Sequence, residues 1–114
     1  MFGANVKGKL IIDKGAAKAI QQGASLLFNG IKTFQGKFRK NDVVEIYLRP
    51  SKSQNQTNKK EENLIILARA KTRYSSEELS RFDQLSKDER IEYFQEHNIR
   101  EIVSHEHMAF IDEE

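Results

Sequence analysis

A chain of 114 residues with a formal net charge of +2 has room for one domain with one hydrophobic core. The sequence contains no cysteine, which excludes disulfides, zinc sites built on thiolates and cysteine nucleophiles. No apolar run approaches the ~18 residues that a membrane-spanning helix needs, so we expect a cytoplasmic protein without a membrane partner.

The charge is distributed unevenly between the two halves of the chain. Residues 1–60 carry twelve Lys or Arg against three acids, whereas residues 61–114 carry seven against fourteen. A basic first half favours an anionic partner such as RNA. The alternative is that the two halves attract each other, or that the charges only keep the protein in solution.

The first elements are a strand and a capped helix. Residues 9–12 form a short apolar, β-branched run that indicates a strand. Asp13 is suited to cap a helix predicted over residues 15–22, and Gly23 is suited to end that helix in the left-handed conformation.

Further extended elements follow. Residues 25–27 open the next element, Gly30 interrupts it, and residues 31–34 continue it. Asn41 tolerates a positive φ, so we expect it to form the turn before the β-branched strand at residues 43–48.

The middle of the chain contains a polar segment. Residues 51–63 lack any apolar residue and predict a long flexible loop. The chain then returns at residues 64–70 as a strand, and the continuous apolar start of that strand predicts a central position in the sheet.

A helical segment is predicted over residues 75–98. Ser75 stands three residues before Glu78, and Ser86 stands three residues before Glu89. This spacing is typical of a capping box at the start of a helix, so two helices are expected.

The last part of the sequence completes an α+β pattern. Ile91, Tyr93 and Phe94 form an apolar stripe that we expect another element to cover. Residues 99–103 and 108–111 are predicted to be extended. The whole pattern predicts a small, mostly antiparallel sheet with helices at its ends.

Few residues suggest chemistry. The six glycines are spread singly and form no phosphate-binding loop, so no cofactor is expected. His105 and His107 fall on one face of a predicted strand, but without cysteine they form a weak metal-ligand set, and an exposed strand face is the alternative. No nucleophile elbow is present, and no catalytic residue is assigned.

Basic residues of the first half form the candidate site. Lys14 and Lys18 lie four residues apart and therefore share one face of the first helix, and Lys32 lies near the following strand. Phe28 offers a ring for stacking on an unpaired base. These four residues are the candidate RNA-binding site; the alternative is that the lysines are only solvated and the other aromatic residues of this half belong to the core.

Several short motifs in a fixed order resemble a known family. They are GKLIIDKGAAKAI at residues 8–20, GASLL at 23–27, GI at 30–31, GKF at 36–38, DVVEI at 42–46 and YSSE at 74–77. Together they are similar to the PUA domain, and more narrowly to the PUA domain at the C-terminus of glutamate 5-kinases. The resemblance implies a β pseudo-barrel with a small mixed sheet and a few short helices, in a single domain over residues 1–114, a fold often used to bind RNA.

The resemblance also bears on catalysis. In glutamate 5-kinases, ATP and glutamate bind to an amino-acid-kinase domain that has no counterpart here, so no catalytic residue is carried over. The FGA at residues 2–4 resembles the segment that links the two domains, and residues 1–7 are interpreted as a linker remnant. Two hypotheses follow: an accessory domain whose partner is an amino-acid-kinase domain of proline biosynthesis, or a free-standing RNA-binding PUA protein.

Overall fold

The computed structural model describes residues 5–49 and 64–111, and these ranges contain five strands and three α-helices. The strands follow runs of β-branched and apolar residues, which pack well on a pleated surface. They are β1 (Gly8–Ile12), β2 (Ile31–Gly36), β3 (Val43–Leu48), β4 (Ile65–Lys71) and β5 (Met108–Phe110).

The strands form one mixed sheet in the order β2-β1-β3-β4-β5. β1 and β3 run parallel, and the other three neighbouring pairs are antiparallel. The prediction of an α+β fold with a small, mostly antiparallel sheet is therefore confirmed. Within the described ranges the ladder is open, with β2 and β5 as its edge strands.

The three helices begin at the predicted capping residues. Helix α1 (Lys14–Gln21) is capped by Asp13, whose carboxylate accepts a hydrogen bond from the backbone N–H of Ala16 at 2.8 Å. Helices α2 (Ser76–Gln84) and α3 (Lys87–Glu96) each start with a complete capping box, in which a serine and a glutamate three residues later bond each other's backbone N–H groups.

Two predicted turn positions have the backbone conformation expected of them. Gly23 ends the segment after α1 with a φ of 106°, and Asn41 precedes β3 with a φ of 74°. Both values lie in the left-handed region, which glycine and asparagine adopt more readily than other residues.

One hydrophobic core joins the sheet to the helices. All three residues Leu10, Ile11 and Ile12 of β1 are at most 1% exposed, as expected for an interior strand. The helices supply Ala17, Ile20, Leu79 and Phe82. The other buried members of this core are Leu26, Phe28, Phe38, Val44, Ile46, Leu67, Ala68, Ala70, Ile102 and Val103.

The run predicted to be extended at residues 108–111 is β5, whereas the segment just before it differs from the prediction for the two histidines. Residues His105–His107 form a 3-10 turn, so the two histidines do not lie on one face of a strand. Tertiary contacts explain the difference: Val103 pairs with Leu26 in an isolated bridge, and the N–H of His105 donates to the hydroxyl of Ser25 at 3.0 Å. These contacts tie the chain to residues 25–26 before β5 begins.

Two further predictions need correction. The element expected at residues 25–27 is reduced to the bridge at Leu26, and a 3-10 turn follows at Phe28–Gly30. The stripe on α3 is only partly covered, because Tyr93 and Phe94 pack against the core while Ile91 is 52% exposed.

The predicted loop over residues 51–63 and residues 1–4 of the predicted linker lie outside the described residues. None of the helices in the described ranges is long and apolar enough to cross a membrane.

Candidate nucleic-acid interface

Helix α1 presents two lysines to solvent. Ala17 and Ile20 are buried against the sheet, whereas Lys14 and Lys18 are exposed. Because the two lysines are one helical turn apart, they lie on the same exposed face, as the sequence predicts.

A close contact places the start of β2 beside the start of this helix. The N–H of Asp13 donates to the carbonyl of Gly30 at 3.2 Å, and Gly30 lies directly against Ala16. A side chain at position 30 would keep the two segments apart, so glycine is required for this approach.

Lys32 occupies a bulge in the edge strand. Ile31 pairs with Ile12 and Thr33 pairs with Ile11, so Lys32 between them is the extra residue of the ladder. It is exposed on β2. Bulges bend an edge strand and redirect the side chains near them, which suits a surface contact more than continued strand pairing.

Three of the four predicted site residues are exposed on the segments that follow β1 and begin β2. Lys14 and Lys32 each lie within two residues of the Ile12–Ile31 pair, and Lys18 lies one helical turn further along α1. Asp13 is the acid nearest in sequence to Lys14, and its carboxylate is engaged in capping the helix. We call Lys14, Lys18 and Lys32 the lysine cluster.

Other basic residues of the first half lie elsewhere. Lys37, Arg39 and Lys40 are exposed in the connection between β2 and β3. This connection follows the Gly8–Gly36 pair, at the opposite end of the β1–β2 ladder from the Ile12–Ile31 pair. These three exposed residues thus lie at the end of the β1–β2 ladder opposite to Lys14 and Lys32.

Phe28 does not have the free ring that base stacking requires. It is only 8% exposed, and its ring packs edge-to-face with those of Phe82 and Phe94, at centroid distances of 5.9 and 6.0 Å. The guanidinium of Arg90 lies 4.9 Å from its centroid. Phe28 is thus a core residue, and the expectation that it stacks on an unpaired base does not fit its packing.

A polar network lies on β3 and β4. The Tyr47 hydroxyl donates to Glu45 Oε1 at 2.9 Å, and Arg69 Nε donates to Glu45 Oε2 at 3.3 Å. Burial, together with the hydrogen bond to Glu45 and the negative charge of Glu45, raises the pKa of Tyr47 above its ordinary value of 10.0. The Lys9 ammonium lies 5.2 Å from the centroid of the Tyr47 ring. Through these contacts the four side chains link the neighbouring strands β1, β3 and β4.

No group of three or more His, Cys, Asp or Glu residues is placed to hold a metal ion in residues 5–49 and 64–111. The two neighbouring histidines of the turn before β5 do not belong to any larger ligand cluster in this part of the chain.

The fold and the order of motifs have a match among known families. The PUA domain profile matches residues 8–93, which is most of the chain. The chain therefore belongs to the PUA domain family. A crystal structure of a PUA domain from Aeropyrum pernix K1, determined as a tartrate complex, superposes with a TM-score of 0.52 at 23% sequence identity. The match covers 86% of this chain and 41% of that one, and at this identity it shows a shared fold.

Proteins similar in sequence narrow the resemblance from the PUA domain in general to one group of enzymes. The chain is 36% identical to a glutamate 5-kinase of Aquifex aeolicus (strain VF5) over 83 residues, covering 73% of this chain and 20% of that protein. It is 35% identical to a glutamate 5-kinase of Salinibacter ruber (strain DSM 13855 / M31) over 97 residues, covering 84% and 21%. The resemblance to the PUA domain of glutamate 5-kinases is thereby confirmed, and the chain spans about one fifth of the length of these relatives.

Proposed function

We propose that this chain is an accessory PUA domain that works together with an amino-acid-kinase domain of the glutamate 5-kinase type. The observation that carries the proposal is the similarity to glutamate 5-kinases, which extends over 73% and 84% of this chain. In this proposal the partner domain performs the ATP-dependent phosphorylation of glutamate, the first step of proline biosynthesis, in the cytoplasm. The PUA domain tunes or stabilises that activity.

The use of polar groups in the structure supports an accessory role. Asp13, Ser75 and Ser86 cap the three helices. Glu45 is engaged by Tyr47 and Arg69. General acid–base chemistry needs a group that is free to exchange a proton with a substrate, and these groups are instead held by structural bonds.

A domain exchange tests this proposal. The part of the Aquifex aeolicus kinase that matches this chain is replaced by the chain, and the chimera is compared with the intact kinase and with a truncated kinase that lacks the matching part. We expect the chimera to recover much of whatever truncation removes in glutamate-dependent ATP turnover or in thermal stability. A chimera that behaves like the truncated kinase in both measurements would contradict the proposal.

A second candidate function is RNA binding through the lysine cluster. It is supported by the exposure of Lys14, Lys18 and Lys32 around the paired ends of β1 and β2. Lysines without an aromatic platform would contact mainly the phosphate backbone, so the binding would be weak, sequence-tolerant and dependent on salt. The similarity to kinases makes this function secondary to the accessory role.

A further inference from the structure

A groove of about 600 Å³ lies between helix α3 and the 3-10 turn at Phe28–Gly30. Lys14, Lys18 and Lys32 do not line it. Two large apolar side chains of its lining, those of Leu27 and Ile91, are each 52% exposed. Exposed apolar side chains concentrated at a concave surface are typical of a binding site.

The charged residues that line the groove are all positively charged. Lys87, Arg90 and Arg100 line it, whereas none of the four acids of α3 does. Helical spacing explains part of this, because Lys87, Arg90, Ile91 and Phe94 stand at positions i, i+3, i+4 and i+7 and therefore share one face. This face lies in the acidic half of the sequence, so the net positive lining is a local feature.

Two contacts within the protein fix the position of the Arg90 side chain. Its Nη1 donates to the carbonyl of Phe82 at 3.3 Å, and its guanidinium lies 4.9 Å from the centroid of the Phe28 ring. The hydrogen bond uses one of five guanidinium N–H donors. A cation fixed in this way loses less side-chain freedom when it binds an anion, which favours affinity.

We propose that this groove binds a small molecule made of a carboxylate group attached to an apolar body. The carboxylate would bind Arg90 together with Lys87 or Arg100, and the apolar body would cover Leu27 and Ile91. The volume falls within the range of about 300–1,000 Å³ that is usual for small-molecule sites.

Titration with octanoate tests the proposal on the whole chain. Octanamide has the same hydrocarbon chain without the charge and serves as the matched control ligand. We expect octanoate at about 150 mM salt to bind saturably, with a dissociation constant of about 1 mM or tighter, and to shift backbone amide resonances of residues 27–29 and 87–100. Octanamide should bind at least about tenfold more weakly.

Two variants with the same change in charge locate the site. Lys87 and Arg100 are exposed, so the Lys87→Glu/Arg100→Glu double variant should fold, which circular dichroism verifies. It should weaken octanoate binding at least about tenfold, whereas Lys14→Glu/Lys18→Glu should leave it within about twofold. The proposal is overturned by an absence of saturable binding below about 10 mM, by equal affinity for octanamide, or by equal weakening in both variants.

Discussion

Gly30 lies so close to Ala16 that a methyl group added at residue 30 would stand 2.6 Å from the Ala16 Cβ. The Ala16 methyl is fixed to the backbone of α1 and cannot rotate away. The contact, with the hydrogen bond from Asp13 to the Gly30 carbonyl, sets the spacing between α1 and β2. It thereby sets how closely the start of β2, where Lys32 lies, approaches α1.

Replacement of Gly30 by alanine should destabilise the protein. The added methyl forces the start of β2 away from α1, and overpacking of this kind costs about 1–3 kcal/mol. Urea denaturation followed by circular dichroism measures the free energy of unfolding. The control is Gly15→Ala in the first turn of α1, where a new Cβ meets only Asp13 Oδ1 at 3.5 Å.

We expect Gly15→Ala to be neutral or to stabilise the protein by up to about 1 kcal/mol, because alanine favours helix more than glycine does. A Gly30→Ala protein as stable as the wild type would show that α1 and β2 can separate without cost.

Removal of the cap of α2 should also reduce stability. The Ser75 hydroxyl accepts from the Glu78 N–H at 3.1 Å, and Glu78 Oε1 accepts from the Ser75 N–H at 2.8 Å. Ser75→Ala should lower the free energy of unfolding by about 1 kcal/mol. Ser80→Ala is the matched control, because Ser80 is exposed within the same helix and alanine is the better helix former there. If the two variants have equal free energies of unfolding, the hydrogen bonds of the Ser75 cap do not contribute to stability.

Tyr47 provides a test by titration. Its pKa is raised by burial and then by Glu45, so Glu45→Gln should lower the pKa of Tyr47 towards 10. Tyrosine Cζ chemical shifts followed against pH by NMR measure this change. Glu92→Gln on the exposed surface of α3 is the control and should leave the Tyr47 pKa unchanged.

The sign of the effect on stability follows from the direction of the shift. A pKa that is higher in the folded state means that the protonated phenol favours folding at pH values below about 10. This contribution should disappear as the pH rises above 10 through the folded-state pKa. An unchanged Tyr47 pKa in Glu45→Gln would show that Glu45 is not a cause of the shift.

The local signals in the sequence predicted most of the elements. Asp13, Ser75 and Ser86 cap helices as expected, and the strand predicted at residues 43–48 is β3. These features depend on hydrogen bonds and steric preferences within a few residues, which a sequence pattern contains. The positive φ of Asn41 was likewise predicted from a local preference, because asparagine adopts the left-handed region more readily than most residues.

The features that the sequence did not predict depend on distant contacts. Phe28 and Leu27 are neighbours in an apolar run, and nothing local shows that Phe28 is buried while Leu27 is exposed. That difference arises from Phe82 and Phe94, which lie more than fifty residues away. The lysine cluster could be proposed in part because helical spacing joins Lys14 to Lys18, whereas the groove joins segments about sixty residues apart.

RNA binding, if it is a function of this chain, should depend on the lysine cluster. The Lys14→Glu/Lys18→Glu variant should weaken binding of a structured RNA and reduce the slope of log affinity against log salt by about 1.5, which corresponds to two phosphate contacts. Fluorescence anisotropy at several salt concentrations measures both quantities.

The control for this measurement is Lys71→Glu/Arg73→Glu, which makes the same change in charge. Lys71 pairs with Val43 at the end of the sheet opposite to the Ile12–Ile31 pair, and both replaced residues are exposed. This variant should keep the wild-type slope. Absence of wild-type binding at low salt would remove the RNA function, and equal losses in the two variants would remove the lysine cluster as its site.

The most direct measurement of the central claim is an assay of the isolated chain for glutamate phosphorylation. The chain is incubated with ATP, Mg²⁺ and glutamate, and γ-glutamyl phosphate is trapped as the hydroxamate, with the Aquifex aeolicus kinase as positive control. An accessory domain that depends on a separate kinase domain for the reaction should form no product above the background without protein. Product formation that survives repurification and follows the protein peak would contradict the account.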